Sequence, residues 1–251
     1  RDLMELTQDH LLNRRVILSQ PKTGYRAGSD AILLAAAVPA LAGQTVLDAG
    51  AGVGAVALCL ASRVENVAVR GLERQVELTE LAADNAAANG LTDRVNVLCG
   101  NIHQPPEEIG RAVFDHTVCN PPFHDAGRGS LSPDQGKALA HSEGETPLSK
   151  WLSFCLRRTR PGGTVTMIHR TSRLHDILAG WKDGAGDVVI IPLWPKAGRP
   201  AKRIIVQARV GGKGPMVLHP GLQLHQYNGA DTDKAQDILR GGMAMDLAIS
   251  R

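Results

Sequence analysis

The apolar run Thr45-Val46-Leu47 breaks into Asp48-Ala49-Gly50-Ala51-Gly52-Val53-Gly54 and resumes at Ala55 as a small-residue helical pattern. Glycines at alternate positions let a backbone turn sharply and approach a ligand without a Cβ clash. A strand feeding a helix through such a turn is the first half of a βαβ unit, and turns of this kind gather at one edge of a parallel sheet. Apolar β-branched runs then alternate with helical patterns along the chain. Strands are expected at 45–49, 67–73, 95–99, 116–119, 163–169, 188–193 and 203–210, and helices at 29–37, 54–63, 74–89, 147–160, 173–180 and 234–240. Several strands are apolar without interruption, which predicts burial on both faces. The fold class is therefore α/β, with helices on both faces of a mostly parallel sheet.

At 251 residues, 43% hydrophobic and 21% charged, the chain suits one globular domain. We divide it into an N-terminal cap segment (1–43), a core (44–210) and a C-terminal extension (211–251). The chain opens on Arg1, so its true N-terminus is expected upstream. No apolar run approaches the ~18 residues of a membrane span. Cys59, Cys99, Cys119 and Cys155 are widely spaced among apolar neighbours, without metal-ligand spacing. They read as reduced core thiols, which implies a cytoplasmic protein without a metal. The net charge of +3 alone argues for no particular partner.

The glycine turn would suit a nicotinamide dinucleotide as well as other nucleotide cofactors. Asp48 separates them: a carboxylate at the strand end repels a pyrophosphate and welcomes an ammonium or sulfonium group. This pattern of Asp48, Gly50, Gly52 and Gly54 resembles motif I of class I S-adenosylmethionine-dependent methyltransferases. The resemblance implies a Rossmann-like seven-stranded sheet with an antiparallel C-terminal strand pair. It also implies S-adenosyl-L-methionine as cofactor. Glu73, closing the next strand, would clamp the ribose hydroxyls. Asn101 and Ile102, after the third strand, would meet the adenine; the family more often has Asp where Asn101 stands, accepting from the adenine amino group, and the Asn101 carbonyl oxygen would do the same more weakly.

Asn120-Pro121-Pro122-Phe123 follows the fourth strand. An exocyclic amine is a poor nucleophile because its lone pair is delocalised. Acceptors such as the Asn120 side-chain oxygen and the Pro121 carbonyl can bind its two hydrogens and orient it. Pro121 and Pro122 stiffen the loop, and Phe123 offers a stacking face worth ~1–3 kcal/mol per base. The motif is similar to that of enzymes methylating adenine N6, guanine N2, cytosine N4 or protein glutamine.

The flanks favour adenine. The segment Pro21 to Leu34, with Asp30 ahead of a Leu-Leu helix, resembles the cofactor-capping lead-in of bacterial tRNA adenine-N6 methyltransferases that modify a valine tRNA. Ser29 or Asp30 also reads as a helix N-cap. Lys196, Arg199, Lys202 and Arg203 lie in a stretch similar to that family's basic hairpin and would contact RNA. His124 and Asp125 extend the motif to a form similar to guanine-N2 ribosomal RNA methyltransferases, which is the runner-up, with His124 near the substrate. A methyltransferase with a non-RNA substrate and a nicotinamide-dependent oxidoreductase are further alternatives. Further basic residues gather at Arg157–Arg160 and His169–Arg173. The loop 124–146, polar and glycine-bearing, is expected to be poorly ordered without substrate. With aromatics at 3%, base stacking much beyond Phe123 is not expected. The oligomeric state is left open.

Overall fold

The computed structural model describes residues 5–24, 26–122 and 146–247. The chain begins with a hairpin, β1 (Leu6–Leu11) and β2 (Val16–Pro21), and helix α1 (Ser29–Ala37). Then come β3 (Thr45–Ala49), α2 (Ala55–Arg63), β4 (Ala68–Glu73), α3 (Val76–Ala88) and β5 (Val95–Cys99). A short α4 (Glu107–Gly110) precedes β6 (Phe114–Cys119). The second half comprises α5 (Leu148–Arg158), β7 (Thr159–Arg170), α6 (Leu174–Trp181), β8 (Ala185–Trp194) and β9 (Arg203–Val210). Two short strands, β10 (Val217–Leu218) and β11 (Leu222–Gln223), and α7 (Asp233–Leu239) follow.

Seven strands form the body of the sheet in the order β5-β4-β3-β6-β7-β9-β8, with β10 and β11 both added alongside β8. Strands β3 to β7 pair in parallel, while β9 runs antiparallel to both β7 and β8. This is the expected class I arrangement with its antiparallel C-terminal pair. Side chains alternate across the sheet, as its period of two requires. Val46, Val118, Ile168, Ile191 and Ile205 join the core beneath α1 and α2. Leu47, Cys119, Met167, Ile190 and Val206 join the core beneath α5 and α6. Cys59, Cys119 and Cys155 are buried free thiols, but Cys99 is exposed, because it ends β5, the strand at the edge of the sheet.

Strand β7 begins at Thr159, earlier than expected, because Thr159 already pairs with Phe114 before a register shift passes Arg160-Pro161-Gly162-Gly163. Gly28 rather than Ser29 or Asp30 is the N-cap of α1, and Asp30 sits in its first turn. An acid there is favoured by the helix dipole.

The β1–β2 hairpin is held by two asparagines of α3. Asn89 receives the Ile17 N–H at 2.8 Å and donates to the Ile17 carbonyl at 2.6 Å. Asn85 treats Ser19 identically, at 2.8 and 2.9 Å, and donates also to the Val53 carbonyl at 3.0 Å. The geometry works because four helical residues advance about 6.0 Å and two strand residues about 6.6 Å. The side-chain amides thus extend the sheet ladder onto a helix, and Asn85 ties the hairpin to the glycine turn. Replacing Asn85 by Ala strands buried partners in both segments. Stability should fall by about 2–4 kcal/mol, measured by urea unfolding, with faster exchange of the Ile17 and Ser19 amides. A loss below about 0.5 kcal/mol, within ordinary surface effects, would remove Asn85 as the anchor.

Candidate active site

The carboxyl ends of β3, β4, β5, β6 and β7 lie along one edge of the sheet. The β8–β9 hairpin turns at the same edge, since Arg203 at its return pairs with Arg170 at the end of β7. Neighbouring strands β3 and β6 continue into connections on opposite sides, which makes their crevice the switch point where ligands bind in open α/β sheets.

On the β3 side, Gly50, Gly52 and Gly54 adopt φ of 82°, 54° and 84°, the left-handed region that side chains resist. The turn hangs from β4: the Leu72 carbonyl accepts from the Gly50 and Ala51 N–H groups at 2.9 and 3.0 Å. Glu73, itself buried, accepts from the Gly52 N–H at 3.0 Å and the Gln75 N–H at 2.9 Å. Its carboxylate is fixed against the turn, facing where a ligand with hydroxyls would lie. Gly54 caps α2, whose first turn presents backbone N–H groups to the same space.

Asp48 is 1% exposed, and its Oδ2 has no hydrogen-bond partner among the described residues. Burial first, and the like charge of Glu73 second, push its carboxyl up to about 7, while the backbone of Ala57 pulls it back. A buried carboxylate oxygen without a partner is costly unless a ligand completes it. An ammonium group is the matching ligand.

Trp151 of α5 was not singled out from the sequence. Its ring lies so close to the glycine turn that a Cβ on Gly50 would sit 3.2 Å from Cη2. Its Nε1 is buried without a hydrogen-bond partner among the described residues. The only sequence signal was its apolar neighbours on a helix, which core packing explains equally well.

The other expected residues distribute as follows. Asn101 is exposed, and its Oδ1 accepts from the His103 and Gln104 N–H groups at 2.9 and 3.0 Å. The oxygen assigned to the adenine amine is therefore spent on an Asx turn. Ile102 is buried in the core under α5. Asp30 accepts from Arg203 Nε at 3.1 Å, joining the cap segment to the hairpin return. Lys196 is half-buried, and Arg199 and Lys202 are exposed at the hairpin. Asn120 follows β6 half-buried, with Oδ1 shielded from solvent, and Pro121 is buried. Phe123, His124 and the loop 124–145 lie outside the described residues.

Arg157–Arg160 does not share this face. Arg160 pairs with Asp115 at 2.6 Å, and Asp115 accepts from Thr45 N–H at 2.8 Å, at the strands' amino ends. Arg158 donates to the carbonyls of Ile109, Gly110 and Ala112, so this cluster braces the opposite edge.

A family model described as "Methyltransferase small domain" matches residues 25–135. That match spans somewhat less than half of the chain. A tRNA1(Val) (adenine(37)-N6)-methyltransferase of Porphyromonas gingivalis is 35% identical over 175 residues, covering 65% of this chain and 66% of that protein, just under two thirds of its length. One from Aeromonas salmonicida is 29% identical over 216 residues, covering 85% of this chain and 88% of the relative. Among solved structures, a predicted O-methyltransferase from Agrobacterium tumefaciens superposes with a TM-score of 0.71 at 25% identity, covering 86% of this chain and 98% of that one. An S-adenosylmethionine-dependent O-methyltransferase from Thermotoga maritima shares the fold, with a TM-score of 0.54 at 17% identity over 77% of this chain and 69% of that one. The strand order is thus that of a class I methyltransferase fold.

Asp48 gives the protein a distinctive pH dependence. Its folded carboxyl titrates about 7 against 3.8 when unfolded, so between those values the folded state holds the extra proton. Asp48's contribution is therefore favourable at low pH and is lost as pH rises through 7. Asn in its place should flatten the slope between pH 4 and 7 and make the protein more stable than the parent above pH 7. The difference should be on the order of 4 kcal/mol at most, read by urea unfolding across pH. Parallel profiles for the two proteins would contradict this.

Proposed function

We propose that this protein is an S-adenosylmethionine-dependent methyltransferase acting on the exocyclic N6 of an adenine in tRNA. One observation carries the proposal: the Asp48–Glu73 glycine turn and Asn120-Pro121-Pro122 stand at adjacent strand ends of the switch point. When bound, the cofactor supplies a methyl group made electrophilic by the sulfonium. The residues present fit it. Asp48 Oδ2 would take the amino-acid ammonium, Glu73 the ribose hydroxyls, and the α2 N-terminus and glycine turn would shape the cradle. Trp151 would wall it above Gly50.

Toward the substrate, the Asn120 side-chain oxygen and the Pro121 carbonyl would accept the two hydrogens of the target amine. That orients its lone pair and favours tetrahedral character at nitrogen. No strong base is required, because the proton can leave after the carbon–nitrogen bond forms. Phe123, adjoining this motif in sequence, would stack on the target base. The names of the relatives, together with the hairpin and lead-in segments that resemble that family's, favour adenine in tRNA.

Incubation with bulk tRNA, ribosomal RNA and labelled methyl donor, followed by nucleoside mass spectrometry, tests the reading. N6-methyladenosine in tRNA is expected; N2-methylguanosine in ribosomal RNA would favour the runner-up, and 2′-O-methylated nucleosides would reject amine chemistry. Asn120→Ala should lower the rate about 10²–10³-fold, as for loss of a preorganised hydrogen-bonding group, while S-adenosylhomocysteine affinity stays nearly intact. Full activity in that variant would sink the amine pocket.

Calorimetry addresses the cofactor. S-adenosylhomocysteine should bind and NAD should not. Since binding favours ionised Asp48, affinity should fall about tenfold per pH unit below pH 7, and Asp48→Asn should abolish that dependence. Glu73→Ala should weaken binding by roughly 1–3 kcal/mol. A pH-independent affinity would place the cofactor's ammonium elsewhere.

A further inference from the structure

Three of the six described aromatic residues are spent in the core: Trp181 and Phe154 are fully buried, and Phe114 is buried with them. Trp194 is different. It ends β8 at the base of the basic hairpin and is only half-buried. Its Nε1 donates to the Pro220 carbonyl at 3.0 Å, which fixes the plane of the ring. Gly221, at φ +87°, packs so closely that a Cβ there would lie 2.6 Å from Nε1. The strand β11 seats beside it, pairing Gln223 with Trp194. The indole is thus held from below by a segment that only glycine permits.

This ring lines an open hollow of about 500 Å³, together with Lys196, Arg199, Pro200 and Gln223. Lys196 Nζ lies 3.5 Å from the carbonyl of Tyr227, a residue 85% exposed on the next turn. A rigid aromatic face next to two cations, in a hollow within the range of small-ligand sites, is the combination that holds a nucleotide. The ring stacks on a base without reading its sequence, and the cations take the adjoining phosphates.

Trp194 ends the third strand over from β6, since the order is β6-β7-β9-β8. At about 4.8 Å per strand the separation from Asn120 along the sheet edge is roughly 14 Å. The base on Trp194 is therefore a neighbour of the methylated one. We propose that this hollow is a second nucleotide subsite, which stacks a base flanking the target on Trp194 and binds its phosphates through Lys196 and Arg199. The proposal rests on the RNA reading given above.

The test is anisotropy of a fluorescein-labelled anticodon stem-loop of a valine tRNA, with S-adenosylhomocysteine calorimetry on every variant. Trp194→Ala should weaken RNA binding about 5- to 100-fold, the range of one lost base stack, with cofactor affinity unchanged and KM for tRNA raised more than kcat falls. Trp194→Phe should retain most of the affinity. Lys196→Ala with Arg199→Ala should reduce the slope of log affinity against log salt by about 2, which reads the subsite without disturbing the indole. Replacing the flanking nucleotide by an abasic one should erase the difference between parent and Trp194→Ala. RNA binding unchanged in Trp194→Ala, with cofactor affinity intact, would overturn the subsite alone. A parent protein that binds S-adenosylhomocysteine but neither the stem-loop nor single-stranded oligoadenylate would overturn the RNA reading and the subsite with it.

Discussion

Everything at this site depends on how the glycine turn is suspended. A turn with three residues in the left-handed region has little intrinsic preference for one shape, because glycine pays more conformational entropy than any other residue on ordering. Its shape is imposed by β4: one carbonyl, that of Leu72, takes two N–H groups, and the Glu73 carboxylate takes a third. The carboxylate that would meet the ribose is also the clamp that orders the turn. The Gly52 and Gln75 N–H groups hold the buried Glu73 carboxyl group aimed at the turn, and the helix α2 starts from a fixed point.

The cap and the C-terminal extension complete this suspension from outside. Asn85 reaches the Val53 carbonyl and the β2 edge at once, so the hairpin and the turn share a single side chain. On the far side, Asp30 meets Arg203, and the Met245 N–H donates to the Ala36 carbonyl at 2.8 Å. Helix α1, nearly wholly buried, is thereby fixed at its first turn by β9 and near its end by the C-terminal segment. The first and last parts of the chain serve one purpose, which is to keep the open edge of the sheet in register.

Much of this was legible in the residues. Strands 45–49 and 203–210 have the bounds their apolar runs suggest, because a strand buried on both faces leaves little freedom in composition. The β1–β2 hairpin was not legible. Its turn places Leu12, Asn13 and Arg14 at positive φ without a glycine, so the usual sign of a hairpin is missing. Asn101 and the Arg157–Arg160 cluster illustrate a second limit. Residue type shows what a side chain can bind, but an Asx turn or a nearby row of carbonyls can claim it first. Trp151 and Trp194 were hidden for the opposite reason: an isolated tryptophan reads as core until a glycine is found packed beneath or beside it.

The sheet edge also divides the labour of the site. Strands β3 and β4 end near Asp48, Glu73 and the glycine turn, whereas at the same edge β7 ends in Arg170, β8 runs into the basic hairpin and β9 begins at Arg203. Asn120 stands between the halves, on the strand beside Asp48. The acidic side suits a cationic ligand and repels phosphates, while the basic side does the reverse. Two ligands of opposite charge are thus sorted along the edge before any close contact forms. Only at the crevice between β3 and β6 do the two fields meet, and there the chain places short, stiff, uncharged groups: an amide and two prolines. Charge there would pull either ligand past its place. A neutral acceptor acts only over hydrogen-bonding distance, so it can orient an amine without capturing a sulfonium or a phosphate.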